Sequence, residues 1–213
     1  MFRQFAGIQP SIVALSLVSL VVMMGSSMVT PSLTLYAKDV GANEFLIGAV
    51  IAGFAIGRLV FDIPAGFLTD RLGMGRTMIL GLGILVGASI LAGLAPTYWV
   101  LLGARVLEGV GSSIYVSAAI SYVLLSSDAA KRGTAIGSYQ SILMTGPIVG
   151  PVAGAPIAAF FGYNAPYFAF AAMVAATLAI IAFLNYRGRF SIRAAGAGQE
   201  AGRHANLAMY LNT

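Results

Sequence analysis

The chain contains no cysteine, which excludes disulfides, thiolate catalysis and cysteine metal sites. Its one histidine, His204, lies in a polar terminal stretch and reads as a solvated side chain. Charge is equally scarce. Asp, Glu, Lys and Arg make up 9% of the 213 residues, against 59% hydrophobic residues, whereas soluble domains carry about a quarter charged residues. That balance excludes an ordinary soluble domain, and no nucleic-acid partner is expected. No segment carries a His/Glu cluster with metal spacing, a glycine-rich phosphate loop followed by Lys, or a Ser placed with a His. These absences remove the usual metal, nucleotide and nucleophile chemistries. "GVGSSIY" has the look of a nucleotide turn but sits inside an apolar segment. The expectation is therefore no catalytic residue, no metal, no cofactor and no enzyme.

What is present is apolar length. Crossing the hydrocarbon takes about 20 apolar residues at the helical rise, and six segments qualify, near 11–36, 45–67, 77–95, 97–125, 133–160 and 164–186. Residues 4–37 carry no charge between Arg3 and Lys38. Such a stretch is too long for a signal-peptide core and is followed by no small-residue cleavage site, so it reads as a retained helix. The runs lack the period-two alternation of a membrane barrel. The fold class expected is an all-α membrane protein with six transmembrane helices.

Lys and Arg in the connections set the orientation. With the N-terminus inside, the inner side collects Arg3, Arg71, Arg76, Lys131, Arg132, Arg187, Arg189, Arg193 and Arg203, and the outer side only Lys38. Three regions follow: a cytoplasmic start (1–10), a six-helix bundle (11–186) and a basic Gly/Ala-rich tail or linker (187–213) whose "NLAMYL" is too short to cross. The short connections "APTY" and "FGYNAP" predict that helices three and four, and five and six, are antiparallel neighbours. Glycines four apart, at Gly53 and Gly57, Gly83 and Gly87, and Gly146, Gly150 and Gly154, predict smooth faces for close helix approach. Pro147 and Pro151 predict that the fifth segment is bent and buried.

Four ionisable residues fall inside the segments: Arg58 and Asp62 in the second, Arg105 and Glu108 in the fourth. A charge at the bilayer centre costs about 2.5–3.5 kcal/mol on the mildest scale, so they are expected to face inward. Their spacings of four and three put each opposite pair on one helix face. Two readings stand: self-neutralising pairs, or a carboxylate that exchanges a proton or meets a solute. Ser112, Ser113, Tyr115, Ser117, Ser121, Tyr139 and Gln140 form a polar inward set without a dedicated charged clamp, which suits a weakly polar cavity for a small molecule.

Three motifs resemble the major facilitator superfamily. "GFLTDRLGMGR" is similar to the signature of its loop between helices two and three, with Gly66, Leu68, Asp70, Arg71 and Gly73 at matching positions; Met74 and Gly75 replace the usual basic pair, and Arg76 follows. "RVLEGVGSS" resembles the fourth-helix pattern at Arg105, Gly109 and Gly111, with Glu108 in place of Gln. "GPIVGP" resembles the fifth-helix motif of the antiporters at Gly146, Pro147 and Gly150, with Pro151 where a glycine is usual. The resemblance covers about residues 10–186. It implies one half, built of 3+3 inverted repeats, of a twelve-helix secondary transporter of the drug/proton antiporter type. It also implies a cytoplasmic latch at Asp70, Arg71 and Arg76. The implied partners are a small organic solute, protons, the plasma or inner membrane, and either the missing C-terminal half or a second copy. A non-transporting membrane scaffold is the alternative.

Overall fold

The computed structural model describes residues 10–187, so the first nine residues and the tail containing His204 and "NLAMYL" lie outside the described residues. Among those described, eight α-helices follow one another: α1 (Pro10–Met28), α2 (Thr30–Asp39), α3 (Glu44–Leu72), α4 (Met74–Gly93), α5 (Tyr98–Ser126), α6 (Arg132–Leu143), α7 (Gly146–Phe161) and α8 (Ala165–Tyr186), with a 3-10 turn at Ala129–Lys131 before α6. They form six spans long and apolar enough to cross a membrane: Ile12–Asp39, Glu44–Leu72, Met74–Gly93, Tyr98–Ser126, Ala129–Phe161 and Ala165–Tyr186. No strand occurs among the described residues.

Two spans are broken, and both breaks have a chemical cause. In the first span α1 gives way to α2 at Val29, ahead of Pro31, whose ring nitrogen cannot donate to the preceding turn. In the fifth, α6 gives way to α7 at Met144 and Thr145, just before Pro147, whose ring nitrogen likewise cannot donate to the preceding turn. Pro151 and Pro156 lie inside α7, and Pro64 inside α3. Gly73 alone separates α3 from α4 and holds φ +82, a conformation that only glycine adopts without strain.

The helices meet through glycine. The most extensive pairings are α3 with α5 and α4 with α5, then α4 with α8 and α1 with α7. A β-carbon at Gly57 would run into the Val106 carbonyl, and one at Gly109 into the Phe54 carbonyl. α1 meets α7 in the same way, since β-carbons at Gly146, Gly150 and Gly154 would meet Met24 N at 2.7 Å, Ser27 Oγ and the Met28 carbonyl. Ser27 on α1 also donates to the Gly146 carbonyl at 3.1 Å. Gly81 and Gly111 bring α4 onto α5, with the Gly111 carbonyl 2.8 Å from a β-carbon placed at Gly81. Exchanging spans one, two and three for four, five and six turns the 1–5 pairing into 4–2, and 1–6 into 4–3. Those are the pairings observed, as an inverted repeat requires.

Three expectations are corrected. Gly83 and Gly87 lie on an exposed side of α4 with nothing within 4 Å, because Gly81 faces α5 and positions two and six residues further on point elsewhere. α7 and α8, though joined by a short loop, barely touch, since α7 spends its glycine face on α1. The fifth span is also not buried overall. In its α7 half Ile148 is 71% and Val152 75% exposed, and only the Gly146, Gly150, Gly154 and Ala158 face is covered, while α6 buries Ala135, Tyr139 and Leu143.

Candidate functional site

The helix α5 carries the chemistry. Arg105, Glu108, Ser112, Tyr115 and Tyr122 recur at intervals of three, four, three and seven residues, so one buried face of a helix presents all five. Toward its N-terminal end Arg105 Nη1 donates to Glu108 Oε2 at 2.6 Å, and Ser89 on α4 donates to Glu108 Oε1 at 2.9 Å. The Arg105 guanidinium stands 5.0 Å from the centre of the Phe54 ring on α3. Glu108 is fully buried and Arg105 nearly so. The pair thus realises the self-neutralising reading of a buried ion pair, with each charge desolvated but partnered. Tyr36 and Tyr167 close the cluster with ring centres 5.7 Å apart, and the Tyr36 hydroxyl donates to the Ala92 carbonyl at 2.9 Å.

Deeper in the bundle, Ser19 on α1 shares a 2.7 Å hydrogen bond with the Tyr115 hydroxyl and accepts one from Tyr139 on α6 at 3.0 Å. This triad ties three spans at bilayer depth. Ser112, Ser113, Tyr115 and Tyr139 are buried, while Ser117, Ser121 and Gln140 are half-buried. Most of the expected cavity set is therefore locked into the core of the six-helix unit, and Ser121 Oγ bonds only its own helix, at the Ser117 carbonyl (2.9 Å). Ser112 Oγ and Gln140 Oε1 have no hydrogen-bond partner among the described residues. Ser19, Ser89, Tyr36, Tyr167 and Phe54 were not singled out in the sequence. The available signal was a hydroxyl inside an otherwise apolar span, which at this depth requires a partner.

The second charged pair behaves differently. Arg58 is the central residue of the 29-residue α3. It is half-buried, Asp62 is exposed on the surface of the unit, and no ion pair joins them. Among the described residues the ion pairs are Lys38–Glu44 and Arg105–Glu108. Asp62 Oδ1 instead accepts a 2.6 Å hydrogen bond from Ser113 Oγ on α5. The expectation that all four charges face inward is corrected for Asp62: the buried stripe of α3 runs through Gly53, Gly57, Ala65 and Thr69, and Asp62 falls to its side, exposed, with its carboxylate reaching back to Ser113.

At the turn between α3 and α4, Asp70, Arg71 and Arg76 are all exposed and make no ion pair among the described residues. Asp70 sits in the last turn of α3, not at a helix start, so the macrodipole does not favour it there. Gly66 has open space around it, and Gly73 makes the turn. The α7 motif places Gly146, Gly150 and Gly154 against α1, Pro147 on the exposed side and Pro151 half-buried.

Six apolar spans in inverted repeats, glycine-packed and carrying charge at mid-depth, define a six-helix unit of a multi-pass membrane protein. The sequence profile of the Major Facilitator Superfamily matches residues 15–207, and the chain belongs to that family. It is 30% identical over 172 residues to Multidrug resistance protein 2 of Bacillus subtilis (strain 168), covering 81% of this chain and 42% of that protein. It is 28% identical over 160 residues to the Bacillibactin exporter of the same organism, covering 72% and 40%. A crystal structure of a mutant peptide transporter POT in complex with sulfate superposes with TM-score 0.76 at 14% identity, covering 95% of this chain and 44% of that one. The chain thus spans about two fifths of the length of these relatives.

Proposed function

We propose that this chain is the N-terminal six-helix unit of a secondary transporter that exports a small organic solute in exchange for protons, working with a second six-helix unit. The observation that carries the reading is the unpaired charge at mid-depth on the open face, Arg58 and Asp62. A sealed scaffold facing lipid all round would bear the cost of those charges without return. A unit whose open face lines a water-filled cleft would not. The length of the relatives and the exporter name among them support the same reading.

Asp62 is the carboxylate we assign to proton exchange. Glu108 is held by Arg105 and Ser89, whereas Asp62 has only Ser113 from α5, with Arg58 one turn away on its own helix and no other charged group of the described residues within ion-pair distance. Asp70, Arg71 and Arg76 form the cytoplasmic latch that the family resemblance implies. Their exposure leaves them free to pair with the second unit. We assign the charge-rich end to the cytoplasm of a plasma or inner membrane.

The test is proton movement in sealed vesicles holding the chain together with its second unit, read with an internal pH dye as solutes are added one at a time under a pH gradient. At least one solute should drive protons across, and Asp62→Asn should stop that movement while leaving insertion intact. Proton leak that no solute alters would refute the reading.

A further inference from the structure

The two unpaired charges on α3 suggest what the solute looks like. Arg58 and Asp62 are one turn apart, about 6 Å along the axis. Both lie near the middle of a span, and Ser113 is likewise near the middle of α5. Opposite charges at this spacing on one helix ordinarily meet, yet these do not. Asp62 is turned to Ser113, which occupies Oδ1 at 2.6 Å and leaves Oδ2 unpaired. The other charged pair of the bundle is neutralised internally and contributes no net charge to this face. The open face therefore presents a separated cation and anion, each with hydrogen-bonding capacity to spare.

We propose that Arg58 and Asp62, the latter held in place by the buried Ser113, form a recognition site for a zwitterionic solute, whose ammonium group meets Asp62 Oδ2 and whose carboxylate meets the Arg58 guanidinium. This rests on the transport reading in one respect, that the open face lines an aqueous cleft. A purely cationic solute would leave Arg58 uncompensated at bilayer depth, and an anionic one would leave Asp62 so. A zwitterion neutralises both, and bidentate guanidinium–carboxylate contact adds orientation.

The test is equilibrium binding to the 213-residue chain in lipid nanodiscs, using phenylalanine, phenethylamine and 3-phenylpropionate as zwitterion, cation and anion of one scaffold. Phenylalanine should bind at least about tenfold more tightly than either singly charged compound, as expected for one additional charge-assisted contact. Arg58→Gln should erase its advantage over phenethylamine alone, and Asp62→Asn its advantage over phenylpropionate alone. Unchanged helicity and elution would establish that both variants fold. Equal binding of phenethylamine and phenylalanine, preferences that survive both substitutions, or no binding of any of the three would overturn the proposal, and the last two would assign these charges to the second unit. Failure of the vesicle assay with this binding pattern intact would refute transport and leave the site standing.

Discussion

At the scale of single residues, the bundle contains two kinds of intramembrane charge, distinguished by their neighbours. Arg105 and Glu108 are buried against each other, with Ser89 and Phe54 completing the surroundings. Removing one partner leaves the other charged and dry, at a cost of about 3–5 kcal/mol, whereas replacing both with apolar residues of similar volume is often neutral. We predict that Arg105→Ala lowers the detergent melting temperature more than the double change Arg105→Leu and Glu108→Leu. A double variant less stable than the single one would mean that the pair contributes more than mutual neutralisation. Spacing alone identified Arg105 and Glu108 as a pair, because a three-residue interval on a helix brings side chains together whatever else is nearby. The same rule failed for Arg58 and Asp62. A competing donor on another helix, Ser113, captures the carboxylate, and no spacing within α3 reveals it.

At the scale of helices, glycine decides which faces touch. The α1–α7 contact is built from backbone against backbone, since β-carbons at Gly150 and Gly154 would coincide with Ser27 and the Met28 carbonyl. Moving the Ser27 or Met28 side chain aside would not relieve it, because the Met24 carbonyl at Gly150 and the Met28 carbonyl at Gly154 are also in the way. We predict that Gly150→Leu or Gly154→Leu destabilises the unit by at least the about 1–3 kcal/mol typical of overpacking. Gly83→Leu and Gly87→Leu on the open side of α4, and Ile148→Leu on the exposed side of α7, should leave the unfolding midpoint in detergent unchanged. Equal effects from the two glycine sets would contradict the packing described. The four-residue glycine interval was legible in sequence for both sets. Which set meets a neighbour depended on how α4 is turned, and Gly81 and Gly111 set that.

At the scale of the whole molecule, the loop between α3 and α4 and the open face are where we propose that a second unit docks. Asp70 is the one carboxylate at this turn, is exposed, and has no ionic partner among the described residues. We predict that Asp70→Asn in the assembled transporter abolishes solute flux while membrane insertion, measured by protease protection, is unaffected. Normal flux would remove the latch. The Lys38–Glu44 bridge at the other end, 2.8 Å long but exposed, should contribute little, since such surface pairs are worth about 0–1 kcal/mol.

What the amino-acid sequence determined by itself is the number of crossings and the class of fold. Both depend on quantities summed over long windows, apolar length and the scarcity of charge, and every such span must satisfy its backbone locally as helix. The family motifs and the Arg105–Glu108 pair were legible for the related reason that their information lies within one turn or one loop. Only tertiary structure decided that Ser19 joins Tyr115 and Tyr139, that Asp62 turns to Ser113, and that α7 lies on α1 instead of α8. Each of these pairs residues far apart in the chain, and their meeting depends on the rotation and depth of whole helices. Those are set by glycine-to-backbone fit between spans, a property of two surfaces that no single segment contains.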